Sequence, residues 1–458
     1  MKILQEANTW VIDSYGKIFA EMDYGPSPRL HRYILTIPQE NGNMLLYNGI
    51  TKELVEFEPG DDLFDKKFFD TMWFVRDDYE ESSIVSTIKS RLERGRPKGW
   101  APQGYTILTT TDCNARCFYC YEKGILKKNM TPEVAADVGD YIVKNCNVDG
   151  MKKPLNISWF GGEPLFNKEA IDIIIGKLVE AGIPYTSSMI SNGYLFDLET
   201  VKHAKAKWHL RNVQITLDGT SANYKKAKNY IYGDEDPFET VMKNIDCLSS
   251  YKIRVSIRAN VGYYNCEDIS NLADIVADRF SQKNNVSMYI HSLFDNGAVT
   301  DITDPEKEKK VFEEMAKIEE KLVRLGIGKR NLVGNDIRGT HCMADNGRHA
   351  VIQCNGDITL CEHYVDSEKY TSIYSDERDE SVREKFKEVA QPYDRCYSCP
   401  LIMDCSALKM CEDNDGDCSE VRQRYKIEKK INAIKRLAES IHAQENKPKE
   451  NEDLEHGN

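Results

Sequence analysis

The chain has 458 residues, enough for two to four domains of ordinary size and a large core. Hydrophobic residues make up 41% and charged residues 29%, and the formal net charge is −13, which argues against a nucleic-acid binder that would need a basic face to neutralise phosphates. No apolar run approaches the roughly 20 residues that span a bilayer, and the opening MKILQEANTWVIDSYG lacks the apolar core of a secretory signal, so a cytoplasmic protein with no membrane partner is expected.

Residues 1–100 read as a small α+β domain. In MLLYNGITKELVEF two alternating runs flank Asn48-Gly49, a turn signal. A helical pattern follows over roughly 81–94, and RGRPKG at 94–99 reads as a linker. From 105 to 295 strands and helices alternate. The strands are YTILTT, LNISWF, YTSSMI, VQITL, IRVSIRA and VSMYI, and helical patterns fall at 131–146, 169–181, 198–207, 237–249 and 267–279. Thr131-Pro132 reads as an N-cap with proline in the first turn. Such alternation predicts a parallel sheet with right-handed crossovers, an α/β fold closing into a partial (β/α)6 barrel over 101–303, with ligands at the carboxyl ends of its strands. A charged helix near 304–325 and a linker to 340 lead into a cysteine-rich segment, 341–420, that is short of periodicity and needs metal to hold it. Residues 421–458 read as a charged helix and a polar tail, QENKPKENEDLEHGN, that cannot build a core.

Fourteen cysteines are many for a cytosolic chain, where thiolate–metal ligation is the better default than disulfides. Three lie at 113–120 and eight between 342 and 418, whereas Cys146, Cys247 and Cys266 stand alone and read as buried small hydrophobes. Cys113, Cys117 and Cys120 follow the first barrel strand in TTTDCNARCFYC, spaced CX3CX2C. Three thiolates on a [4Fe–4S] cluster leave one iron open to an external ligand. The plain alternative is a zinc site completed by a remote fourth ligand. Gly161-Gly162-Glu163-Pro164 ends the strand LNISWF.

CX3CX2C with Tyr119 before its third cysteine, followed by GGEP, resembles the radical S-adenosylmethionine superfamily. The resemblance implies that the open iron chelates S-adenosylmethionine, whose reductive cleavage gives a 5′-deoxyadenosyl radical that takes a substrate hydrogen. It implies further that Gly161 and Gly162 let backbone approach the ligand and that Glu163 accepts from the methionine ammonium. Ser191-Asn192 matches the ribose-contacting position, though Asn192-Gly193 is equally an ordinary turn. Arg258 is placed for the methionine carboxylate or for the surface. Asp218, in QITLDG, sits where relatives place a carboxylate for proton transfer; it can equally cap the next helix or hold substrate backbone.

The second cysteine field reads Cys342-X13-Gly356-X4-Cys361, then Cys396-X2-Cys399-X5-Cys405-X5-Cys411, then Cys418. It resembles the SPASM extension, apart from X5 where X3 is usual before Cys411. The resemblance implies two auxiliary [4Fe–4S] clusters, three in all: a distal one on Cys396, Cys399, Cys405 and Cys418, and a proximal one on Cys342, Cys361 and Cys411. Either Cys354, beside the Asn355-Gly356 turn, completes the proximal set, or one iron stays open to a substrate thiolate. Two structural zinc sites are the alternative use of these thiolates.

Peptide-modifying relatives carry an N-terminal winged-helix-like domain that adds a leader peptide as a strand; residues 1–100 have the size for it, or for a cap on the barrel mouth. The function implied is an anaerobic maturase that forms a thioether or other cross-link in a ribosomally made precursor peptide with a leader, reduced by a donor such as flavodoxin or ferredoxin. A sulfatase-maturating, formylglycine-generating enzyme is the alternative, and a non-catalytic electron-transfer iron–sulfur protein the alternative of another class. Anaerobically reconstituted protein is expected to hold about twelve irons, and replacing Cys113, Cys117 and Cys120 by alanine to remove about four. Elemental analysis giving about four irons together with zinc would refute the auxiliary clusters.

Overall fold

The computed structural model describes residues 1–63, 68, 71–94, 99–148, 151–152, 155–293, 304–328, 333–334, 337, 343–345, 347–363, 365, 368–389, 394–405 and 418–445. Most of the linker at 95–98, the tail beyond 445, and both Cys342 and Cys411 lie outside the described residues. Among the described residues no helix is long and apolar enough to cross a membrane.

The first domain is a four-stranded antiparallel sheet of β1 (Lys2–Gln5), β2 (Ile34–Pro38), β3 (Met44–Asn48) and β4 (Leu54–Phe57), in the order β1-β4-β3-β2. The expected hairpin is present, pairing Met44 with Phe57 and Tyr47 with Leu54. Its turn is longer than an Asn-Gly pair would make: Asn48 N donates to Glu53 O, and Lys52, not Gly49, takes the left-handed conformation at φ 66°. Gly49 serves a different need, because a β-carbon there would stand 2.6 Å from Pro400 O and 2.8 Å from Tyr33 O. Helix α1 (Ser82–Arg94) packs Ile84, Val85 and Ile88 under the domain.

The central domain follows the expected order. Its parallel strands are β5 (Gly104–Thr110), β6 (Leu155–Gly161), β7 (Tyr185–Ser191), β8 (Leu210–Thr216), β9 (Arg254–Val261) and β10 (Val286–Ser292). Each pairs with its neighbour in sequence. Right-handed crossovers that always step the same way put the helices on one face and curl the sheet around the other. Helix α2 (Pro132–Cys146) shows how that face is built. Thr131 Oγ1 accepts from Val134 N at its start, and Ala135, Val138, Ile142 and Cys146 form its buried stripe. Helices α3 (Lys168–Glu180), α4 (Leu198–Ala206), α5 (Ser221–Lys228), α6 (Pro237–Ser250) and α7 (Cys266–Phe280) complete the layer. Along β6–β10 burial alternates. Residues under the helices, such as Trp159, Met189, Ile215 and Ile257, are fully buried; those facing inward, such as Ser158, Ser188, Gln214, Arg258 and Tyr289, are half-buried and mostly polar. The sheet therefore encloses a wettable lumen.

Helix α8 (Pro305–Arg324) packs against α7 and β10. After it the chain returns to the sheet. Strand β11 (His349–Ile352) pairs in parallel with β5, and the hairpin partner β12 (Asp357–Thr359) and then β13 (Thr371–Ser372) extend it antiparallel. Gly356, at φ 83°, makes the turn. Helix α9 (Glu380–Val389) precedes the 394–405 loop, and helix α10 (Glu420–Glu445) ends the described chain.

The first domain docks on this C-terminal segment. Tyr33 Oη donates to Tyr397 O at 2.5 Å, and Lys52 Nζ, fully buried, pairs with Asp404 Oδ1 at 2.7 Å. Burial pulls the Lys52 pKa down to about 8 although Asp404 offsets part of the effect. Ile402 and Met403 join one core with Val11, Tyr33 and Ile88, while Leu401 and Ile434 join another with Leu35 and Leu45. Replacing Gly49 by alanine should cost about 1–3 kcal/mol through overpacking at this seam, seen as a lowered Tm by circular dichroism. Gly176→Ala, in α3 with open space at its β-carbon, should be neutral or stabilising by up to about 1 kcal/mol. Equal effects at the two sites would show that the seam is not tightly packed.

Candidate active site

The loop after β5 carries the three clustered cysteines, and its start is fixed by backbone. Thr111 N donates to Lys128 O at 2.9 Å and Met130 N to Thr109 O at 2.9 Å, so the loop leaves and returns along one edge. The two glycines that end β6 lie directly against it. A β-carbon on Gly161 would collide with Thr110 O, and one on Gly162 with Asp112 O; Gly161 also has φ 126°. Their expected service to a ligand is thus preceded by another: they admit the cluster loop's own backbone. Glu163 N donates to Asp112 O at 2.9 Å and continues that contact.

The Glu163 carboxylate is buried. It accepts from Leu165 N at 3.2 Å, from Ser191 Oγ at 2.9 and 3.0 Å, and from Asn192 N at 2.8 Å. Burial raises its pKa to about 7, against the lowering effect of those donors. A cation placed beside it would relieve that burden. Asn192 makes the expected turn: Oδ1 accepts from Tyr194 N through Gly193 at φ 83°, while Nδ2 reaches Cys113 Sγ at 3.7 Å and Asn114 Oδ1 at 2.6 Å.

Cys113, Cys117 and Cys120 form no disulfide. Burial pushes Cys113 up to about 12 and Cys120 up to about 11, and Cys117 is raised for the same reason; the charges of Cys117 and Cys120 act on Cys113, so the thiols share one space. Among the described residues no three His, Cys, Asp or Glu side chains close to the span of a single metal ion. A [4Fe–4S] cluster takes one thiolate per iron and needs a wider set. The buried Nδ2 of Asn114, next to Cys113 in the chain, has no hydrogen-bond partner among the described residues. The donor set fits such a cluster.

Asp218, at the end of β8, is buried with both oxygens engaged. Oδ1 accepts from Asn260 N at 3.1 Å and Asn260 Nδ2 at 2.9 Å; Oδ2 accepts from Tyr119 Oη and pairs with Lys228 Nζ at 2.9 Å. Tyr119 is therefore held through its hydroxyl, with burial raising its pKa well above the usual value and the Asp218 charge adding to it. Arg258 Nε donates to Asn260 Oδ1 at 2.9 Å, which ties it to the same network. Lys228 and Asn260 were not singled out from the sequence. Lys228 sits among Lys225 and Lys226 in a segment that reads as a solvated face, and its only signal is that it lies four residues after the buried Tyr224.

In the second field Cys396, Cys399, Cys405 and Cys418 come together: burial raises the Cys418 pKa, and the other three each add to that rise. Cys361 follows β12. Cys354 lies in the β11–β12 turn, buried, with Sγ 3.3 Å from Leu108 O of β5. The two fields meet where Tyr121, next to Cys120, stacks on His363, two residues past Cys361, at 4.6 Å and 28° between ring planes. Sequence spacing gave no hint of that stack.

Residues 107–276 match the model of the Radical SAM superfamily. The probable GTP 3′,8-cyclase of Thermococcus kodakarensis is 24% identical over 226 residues, 48% of this chain and 66% of that protein. The radical SAM cyclopropyl synthase TigE of Paramaledivibacter caminithermalis is 24% identical over 195 residues, 40% of this chain and 39% of that protein. The chain thus spans less than two thirds of the length of these curated relatives. The solved structure described as native anSMEcpe with bound AdoMet and Cp18Cys peptide superposes with a TM-score of 0.58 at 17% identity, over 75% of this chain and 99% of that one, a likeness of fold. Because Gly162 is pressed on Asp112, Gly162→Ala should displace the cysteine loop and remove about four irons from reconstituted protein, while Gly176→Ala keeps them. Full iron content in Gly162→Ala would show that the loop tolerates the displacement.

Proposed function

We propose that this chain, in which residues 107–276 form a Radical SAM superfamily domain, is an enzyme that cleaves S-adenosylmethionine reductively and uses the resulting radical to modify a precursor peptide. The observation that carries the reading is the convergence of three thiols with Glu163 and Asn192 at the carboxyl ends of β5, β6 and β7, joined by the Asn192 Nδ2 contact to Cys113 Sγ. An electron-transfer protein has no need of a buried carboxylate and an amide beside its ligands.

In this reading Cys113, Cys117 and Cys120 hold a [4Fe–4S] cluster, and Glu163 receives the methionine ammonium. Arg258 faces its carboxylate, and Ser191-Asn192 meets the ribose. Bound together, the reduced cluster and S-adenosylmethionine supply a 5′-deoxyadenosyl radical. The chain's own part is positional. Gly161 and Gly162 set the loop against the strand ends, and the polar inward residues Ser158, Ser188, Gln214 and Tyr289 offer hydrogen bonds to a peptide backbone in the lumen. Cys396, Cys399, Cys405 and Cys418 hold a distal auxiliary cluster; Cys361, with Cys342 and Cys411, holds a proximal one. The edge strand β2 of the first domain is the surface to which a leader would add as a further strand. An intrapeptide cross-link, a thioether first, is the favoured product, and a small flavodoxin or ferredoxin the favoured electron source.

Formylglycine formation on a sulfatase is the second reading, favoured by a fold likeness that takes in 99% of the anSMEcpe chain. With dithionite and no peptide, the enzyme should convert S-adenosylmethionine to 5′-deoxyadenosine. Glu163→Gln should lower the rate about a hundredfold, and the Cys113/Cys117/Cys120 triple alanine variant should abolish it. A mass shift in a cysteine-containing precursor peptide, absent when its leader is removed, supports the maturase. Conversion of a leaderless sulfatase peptide to formylglycine moves the assignment to the second reading, and no 5′-deoxyadenosine from cluster-replete protein defeats both.

A further inference from the structure

The proposed reaction draws one electron from outside the chain, so the surface over the first cysteine loop has to admit a donor. That surface differs in charge from the molecule as a whole. Residues 112–128 carry four cations, Arg116, Lys123, Lys127 and Lys128, against Asp112 and Glu122, in a chain whose net charge is −13. Asp112 is neutralised, with Oδ1 at 2.8 Å from Lys127 Nζ and 3.7 Å from Arg116 Nη2, and Glu122 Oε2 is buried. The part-exposed Arg116 guanidinium donates to Cys113 O and, at 2.7 Å, to Ala115 O, so it lies on the cysteine loop itself. The face continues onto a second segment. Arg116 N donates to Lys228 O at 2.8 Å and Ile231 N to Asn114 O at 2.9 Å, which seats residues 228–231 against the loop. Just before it, α5 exposes Lys225 and Lys226. Lys123 and Lys226 are exposed and have no ionic partner among the described residues. Of the acids at 234–236, Asp234 accepts from Tyr194 Oη and Thr240 Oγ1, and Asp236 from Ser221 Oγ and Glu239 N, which leaves Glu235 as the uncommitted one. The same two segments expose apolar side chains: Leu126 is 69% exposed, Ile231 51% and Tyr232 40%. Leu126 is fixed beside Asp112, because its carbonyl accepts from Thr111 Oγ1 at 2.8 Å. Apolar contacts with a charged rim are the makings of an interface.

We propose that this basic, partly apolar face is the docking surface for an acidic, flavin-bearing one-electron carrier. The inference rests on the proposed function, because it needs a reduction step at the first cysteine loop. One electron leaves the carrier's flavin hydroquinone, which becomes the semiquinone, and passes to the cluster; no covalent bond forms or breaks. Cys113, Cys117 and Cys120 are half-buried, and a carrier seated on Arg116 and Leu126 lies against the loop that holds them. Charge names the acidic partner. Two molecules of net negative charge repel at long range, and cations gathered in one place steer the encounter to it. The exposed Leu126, Ile231 and Tyr232 name the flavin, whose dimethylbenzene edge is apolar and packs on such side chains. An interface of this kind is small and short-lived, as electron-transfer encounters are.

The test uses the full reconstituted protein, with a purified flavodoxin in its hydroquinone form as the probe. Carbodiimide coupling, which joins lysine amines directly to carboxylates, should link flavodoxin to Lys123 and Lys226, read by mass spectrometry of the digest. In stopped flow, Lys123→Glu/Lys226→Glu should slow flavodoxin oxidation at least about tenfold at low salt, with the gap closing as ionic strength rises. Lys207→Glu/Lys243→Glu, an equal change of net charge at the exposed end of α4 and on α6, should stay near the parent rate. Leu126→Ser should slow the reaction at every salt concentration. Photoreduced deazaflavin, a small reductant that needs no docking, should reduce the parent and Lys123→Glu/Lys226→Glu alike. An unchanged flavodoxin rate in that variant overturns the proposal and returns the face to another occupant, a peptide substrate included. An equal loss with deazaflavin also overturns it, by referring the defect to the cysteine loop, and so does coupling that falls beside the 394–405 loop instead. A ferredoxin that outruns flavodoxin and loses rate in the same variant overturns the choice of a flavin carrier. Parent protein that accepts no electron from deazaflavin and yields no 5′-deoxyadenosine defeats the functional reading itself, and is told apart before any flavodoxin is added.

Discussion

Everything at the candidate site depends on how closely two stretches of backbone approach each other. The Thr110–Asp112 segment and the Gly161-Gly162 pair touch with no room for a β-carbon. That contact sets the cysteine loop above the end of β6 and brings Glu163 under it, and from Glu163 the bonds run on to Ser191 and Asn192 at the end of β7. Two strands therefore meet through a backbone contact, and the Glu163 carboxylate joins the third to them. The electrostatic features come second. Glu163 and the three thiols are buried, and burial raises the pKa of each.

Much of this was legible from residue patterns alone. All six barrel strands and the helices α2, α3, α4, α6 and α7 fall where hydrophobic period and turn residues place them, because a sheet covered on one face by helices imposes its alternation directly on the sequence; the short α5 is not among the expected helices. The cysteine motif and GGEP were legible because their spacing is chemically specific. What was not legible shares one cause: it depends on partners distant in the chain. Lys228 reads as one more surface lysine until Asp218 and Tyr119 surround it. Gly49 reads as a turn glycine, yet its constraint comes from Pro400. Strand β11 is short and ordinary, and only the open edge of β5 makes it the seventh parallel member of the sheet.

The first domain and the described part of the second cysteine field are in contact. Tyr33, Gly49 and Lys52 reach the 394–405 loop between and beside its cysteines, and the hydrophobic residues of that loop complete the first domain's cores. A cysteine-rich loop without its metal has little else to hold its shape. The same C-terminal segment reaches the first cysteine loop through the Tyr121–His363 stack.

The parallel pairing of β5 with β11 has a consequence for how the molecule is made. Thr106 and His349 touch across 243 positions of sequence, so during synthesis the strand that carries the cysteine loop waits with one edge uncovered until β11 has emerged. Closing so long a loop is slow, and an apolar edge left open invites pairing with the wrong chain. Emerging at roughly 5–20 residues per second, the ribosome enforces an interval in which β6–β10 can assemble while β5 stays half-sheltered. A chain stopped short of the hairpin at β11 is therefore left with its cysteine loop on a strand that keeps one open edge.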